Sequence, residues 1–101
     1  MIGRKVILSK KAENKLEKLF SYLLENWSLK VKTDFVKKLD RSIEIIKAHP
    51  ESFPQSQKES GLHKCVVTKQ TTLYFRFDSK QIKVVIIFDT RQNPKKLNKE
   101  L

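Results

Sequence analysis

The sequence predicts an α+β domain of order β-α-α-β-β-β, a helical hairpin laid on a small, mostly antiparallel sheet. Three observations carry this. The stretch Gly61 to Arg91 reads as three consecutive strands separated by the short polar breaks Lys69-Gln70-Thr71 and Asp78-Ser79-Lys80-Gln81. Before it, two apolar stripes with steps of three and four residues describe two helices joined by a very short connection. In front of those, Val6-Ile7-Leu8 forms a brief apolar run flanked by lysines.

Within the meander, Leu73, Phe75 and Phe77 alternate with Tyr74 and Arg76, the period of a strand with one buried face. Ile82, Val84, Ile86 and Phe88 repeat that period. Val85 and Ile87 make the last strand apolar on both sides, which places it centrally in the sheet. It ends in a charged tip, Asp89-Thr90-Arg91, followed by Gln92-Asn93-Pro94.

The first strand candidate spans Arg4–Ser9, with Ser9 placed to cap the helix that follows. From Lys10 to Asn26 the stripe is Ala12, Leu16, Leu19, Phe20, Leu23 and Leu24. Asn26-Trp27-Ser28 interrupts it, with Trp27 expected to pack between the helices and Ser28 to cap the second. That helix runs from Leu29 to Ala48 on Val31, Phe35, Leu39, Ile43 and Ile46. His49-Pro50 ends it, because the residue before proline is driven out of the helical region. Glu51–Ser60 is a polar loop into the sheet. The tail from Lys95 to Leu101 is basic and forms one helical turn or frays.

The 101 residues, 39% of them hydrophobic and 33% charged, fit one domain spanning 1–101. One cysteine excludes an internal disulfide and fits a reducing cytoplasm. Two histidines and that cysteine, scattered along the chain, make no metal site, and no cofactor is expected. No apolar run is long enough for a secretory leader or a membrane span, so a soluble cytoplasmic protein without a membrane role is expected. With 22 basic against 11 acidic residues the net charge is +11, which directs attention to polyanions and acidic proteins as partners.

The element order, length and charge, together with Leu73-Tyr74-Phe75-Arg76-Phe77, the exit His49-Pro50-Glu51-Ser52-Phe53-Pro54 and the ending Ile86-Ile87-Phe88-Asp89-Thr90-Arg91-Gln92-Asn93-Pro94, resemble the RelE/ParE family of bacterial type II toxins. The resemblance covers essentially the whole chain. It implies a growth-inhibiting toxin neutralised by a cognate antitoxin encoded beside it. It also implies one of two targets: the ribosome and its mRNA for the RelE branch, a metal-independent endoribonuclease, or DNA gyrase for the ParE branch, which has no ribonuclease site.

Cutting RNA without a metal requires cations on the crowded phosphate plus a proton acceptor and donor. The resemblance makes Lys64 and Arg91 the candidate phosphate ligands, and His63 is the candidate proton carrier by its ordinary titration range. The family's middle-strand arginine falls on Thr72 and its C-terminal tyrosine on Leu97. Two residues that serve RNA chemistry are thus missing, which favours the ParE-like reading. On that reading Arg76, Tyr74 and Thr72, sharing the face opposite the core phenylalanines, form the contact surface for target or antitoxin with Arg91, Lys95 and Lys96. Tyr74 is the only aromatic expected there. Arg91 has a structural alternative in pairing with Asp89 or Asp78, Lys64 in being a solvated strand lysine, and Cys65 is expected to be a small core residue. A basic nucleic-acid-binding module without toxicity is the rival from another class. It lacks an aromatic-rich binding motif.

Overall fold

A computed structural model describes residues 4–57 and 61–90. Strand β1 (Lys5–Leu8) leads into helices α1 (Lys10–Asn26) and α2 (Leu29–Ala48). A single 3-10 turn at Pro50–Ser52 follows, and then strands β2 (His63–Val66), β3 (Thr71–Phe77) and β4 (Gln81–Asp89). The strands form one sheet of order β1-β4-β3-β2. The β2–β3 and β3–β4 pairs are antiparallel, while β1 lies parallel to β4 after crossing over through the helical hairpin. β4 is therefore internal, as its two apolar faces require.

Both helix starts follow their serines. Ser9 Oγ accepts from the amide of Ala12 at 3.0 Å and Ser28 Oγ from that of Val31 at 3.1 Å. The helical hairpin covers one sheet face, where Leu19, Leu23, Phe35, Leu39 and Ile46 meet Cys65, Leu73, Phe75, Ile82, Val84 and Ile87. Phe75 is its aromatic centre, edge-on to Phe53 at 5.7 Å and stacked with the His63 ring at 5.6 Å. Cys65 is buried, as expected, and burial pushes its thiol pKa up.

Three details depart from the sequence pattern. Trp27 is 57% exposed and does not pack between the helices, because the connection is so short that its residue projects beyond the hairpin's end. Leu24 is likewise exposed, while its neighbour Leu23 is fully buried in the sheet-covering stripe. The third departure lies in β4. Phe75 pairs with Val84 but Tyr74 pairs with Ile86, so Val85 is an extra residue opposite β3. Such a bulge reverses the alternation beyond it. Ile82 and Val84 face the helices as the period-2 reading has it. Ile86 and Phe88 instead turn to the other face, and Ile87 replaces them in the main core. Asp89 accordingly turns inward, fully buried, where it accepts a hydrogen bond from the Thr71 hydroxyl, and is not part of a solvated tip.

Ser9 ties these features together. Its hydroxyl donates to the carbonyl of Val85 at 2.7 Å, and its amide donates to the carbonyl of Val84 at 2.9 Å. Replacing Ser9 by Ala removes the α1 cap and leaves the Val85 carbonyl unpaired. We expect a loss of about 1–3 kcal/mol of stability by chemical denaturation, while Ser28→Ala, which removes only a cap, costs about 1 kcal/mol.

At the β3–β4 turn, one carboxylate oxygen of Asp78 accepts from the amides of Lys80 and Gln81 at 2.8 and 2.9 Å. Those amides, with charge from Lys80 and Arg4, lower its pKa. A carboxyl whose folded pKa is depressed adds stability above its unfolded pKa and loses it as pH falls through the folded one. The Asp78 carboxyl resonance should titrate below the ordinary range of an aspartate side chain. Asp78→Asn should remove a small part of the stability measured at neutral pH and none of that measured at a pH below the titration.

Candidate functional site: the cationic face of the sheet

The face away from the helices is set by strand alternation. Val6 and Leu8 pack against the helix-side core, which turns Lys5 and Ile7 to the other side. His63↔Phe75 and Cys65↔Leu73 face the helices, so Lys64, Val66, Thr72, Tyr74 and Arg76 face away, with Tyr74 opposite Lys64. Arg76 pairs with Lys83, and Lys83 with Ile7. Lys5, Lys83, Arg76 and Lys64, one from each strand, therefore share this face. No described strand residue there is acidic.

Next to the cations lies a second apolar cluster of Leu62, Tyr74, Ile86 and Phe88, each no more than 5% exposed, with Val85 against it. Tyr74 is thus not the only aromatic on this side, because the bulge brings Phe88 to it. Burial also raises the Tyr74 phenol pKa, keeping it neutral and unsuited to accept a proton. At the turn end a shallow depression of about 200 Å³ is lined by Arg76, Phe77, Asp78, Gln81 and Lys83. Gly61 supports Arg76 from the β2 side. Its φ of +79° suits only glycine, and a Cβ there would lie 2.9 Å from Arg76 Nη1.

Of the residues expected from sequence, the structure gathers Lys64, Thr72, Tyr74 and Arg76 on one face. His63 is not with them. Its side chain lies on the helix side, half-buried, with Nδ1 2.9 Å from the Phe53 carbonyl and its ring against Phe75 and Phe77. Neighbouring strand residues point to opposite faces, so His63 and Lys64 do not meet over one phosphate. Arg91, Lys95, Lys96 and Leu97 lie outside the described residues. Lys83 and Lys5 were missed. Lys83 was legible, since counting back through the β3–β4 turn sets it opposite Arg76, but Lys5 depends on a parallel pairing that leaves no local trace.

The four cations make this face electropositive, and the His63 side chain lies on the opposite side of the sheet from them. Among the described residues no group of His, Cys, Asp or Glu is placed to bind a metal ion, and no helix is long and apolar enough to cross a membrane.

The chain belongs to the ParE toxin family of type II toxin–antitoxin systems, whose family model matches residues 6–94. Solved structures share the fold. A chain of the chromosomal ParDE system from P. aeruginosa superposes with a TM-score of 0.71 at 11% identity, over 85% of this chain and 95% of that one. The YoeB/ParE toxin from Agrobacterium tumefaciens gives 0.59 at 13% identity over 84% and 96%. A chain of the E. coli DinJ-YafQ toxin–antitoxin complex gives 0.61 at 11% identity over 91% and 98%. A sequence comparison with curated proteins gives no match.

If the four cations act as one field, binding to a generic polyanion such as heparin or duplex DNA should weaken steeply with salt. Lys64→Ala, Lys83→Ala and Arg76→Ala combined should flatten the slope of log K against log salt by roughly 2–3. The same number of alanines at Lys11, Lys18 and Lys38 on the helices should change it less.

Proposed function

We infer that this protein is the growth-inhibiting toxin of a type II pair, acting in the cytoplasm on DNA gyrase by binding and held inactive by a cognate antitoxin encoded beside it. The observation that carries this reading is the cationic sheet face, from which His63 is turned away among the described residues, in a chain of the ParE family. A phosphate cradled by Lys64, Arg76 and Lys83 is held but not cleaved, since RNA cleavage without a metal needs an acid and a base as well as charge. Thr72 stands where the ribonuclease branch has an arginine, which supports the same conclusion. Arg76, Tyr74 and Thr72 are then contact residues, together with Arg91, Lys95 and Lys96, and Tyr74 acts through the shape of the buried cluster beneath them.

The ribosome-dependent endonuclease remains the second reading, because the same cation row suits an mRNA backbone. Two assays on the purified protein separate them. In a supercoiling reaction with gyrase, the expected result is loss of supercoiling or accumulation of cleaved plasmid, weakened by combined alanines at Lys64, Arg76 and Lys83. In a reconstituted translation reaction read by primer extension, the message should stay intact. New cuts within ribosome-occupied codons, lost on Arg91→Ala, overturn the gyrase reading.

A further inference from the structure

The four cations of the far face form a line. Arg76 and Lys83 stand directly opposite one another on β3 and β4. Lys5 lies one strand further out and two residues back, its partner on β4 being Gln81. Lys64 lies one strand out on the other side and two residues forward along β3, opposite Tyr74. The two offsets run in opposite senses, so the row crosses the sheet on a diagonal. With strands about 4.8 Å apart and about 6.7 Å for two residues along a strand, its steps are about 8, 5 and 8 Å and its length about 20 Å. Lys5, Lys83 and Lys64 are exposed and Arg76 is half-buried. Like charges directly opposite across strands cost stability, so the Arg76–Lys83 pair is a feature that folding alone does not favour.

Such a row suits a linear polyanion. One strand of a DNA duplex carries a phosphate every ~3.4 Å of axis, so a length equal to the row presents about five or six charges to its four cations. Tyr74 and Phe88 on this face are each no more than 5% exposed, and among the described residues no ring there is open for an unpaired base to stack on. That argues against a single strand, which is gripped by its splayed bases, and for a duplex, which keeps its bases inside and presents phosphate. A row that crosses all four strands also offers no sheet edge along which a peptide could pair.

We propose that this face binds the phosphodiester backbone of duplex DNA without regard to sequence, one DNA strand following the diagonal row, so that the toxin meets gyrase through the DNA that the enzyme holds. The inference rests on the gyrase reading above and names the molecule that the cationic face touches. Gyrase engages the toxin elsewhere on its surface or not at all.

The first test uses the full chain and fluorescent 20-base-pair duplexes of two unrelated sequences, followed by anisotropy across a salt series. The two duplexes should bind alike, with a slope of log K against log salt of about −3 to −4. Lys5→Ala, Lys83→Ala and Lys64→Ala should each reduce that slope by about 0.9, and Lys15→Ala on α1 should leave it unaltered. A slope indifferent to the row, or tighter binding to single-stranded RNA of the same length than to duplex, overturns the inference. The second test places a photoreactive phenylalanine at Ile7, which shares the face and pairs with Lys83. Irradiated with gyrase and plasmid, it should yield an adduct to DNA. Adducts to the gyrase polypeptides alone, with supercoiling inhibited, overturn this inference and leave the gyrase reading standing. Duplex binding through the row with supercoiling untouched overturns the gyrase reading, and with it the part of this inference that brings gyrase in through its DNA.

Discussion

The Ser9 hydroxyl, bonded at once to the Ala12 amide and the Val85 carbonyl, is the joint on which the rest of the architecture depends. It sits where β1 becomes α1 and where β4 bulges. A bulge leaves a carbonyl without its ladder partner, and a buried carbonyl without a partner is costly. Ser9 supplies that partner with the same oxygen that starts the helix. Helix entry, strand register and the facing of the β4 residues from Ile86 to Asp89 are coupled through one side chain.

The consequence of the bulge is a sheet with two unequal sides. Before it, β4 contributes Ile82 and Val84 to the helix-side core, and after it Ile87 takes over. Ile86 and Phe88 are released to the far side, where they join Leu62 and Tyr74 in a small apolar cluster. That cluster borders the row of Lys5, Lys83, Arg76 and Lys64. A face of cations over an apolar floor keeps its charges apart on rigid strands, and strands hold such groups more precisely than loops do.

Much of the site was open to reading along the chain. Alternation in Leu73-Tyr74-Phe75-Arg76-Phe77 assigns Tyr74 and Arg76 to the far side, and the β2–β3 pairing adds Lys64 and Thr72. His63 illustrates the limit of adjacency in sequence. It stands next to Lys64, yet strand geometry sends it into the aromatic core against Phe75 and Phe77. Asp89 shows the same limit from the other direction: a residue that looks like part of a solvated tip is buried against Thr71, because a bulge four residues earlier changed its side.

What the sequence determined by itself was whatever rests on local periodicity and local capping: both helices, their serine caps, the stop at His49-Pro50, the meander, and the charge. These depend on interactions among residues three or four apart, or across short turns, so one-dimensional spacing contains them. Only the tertiary structure decided the parallel place of β1 beside β4, the reversal of facing at Val85, and hence the company that Lys5, Lys83, Phe88 and Asp89 keep. Those follow from which strand meets which and in what register, and that choice is made by the packing of the whole hairpin on the sheet, where no short stretch of chain holds both partners.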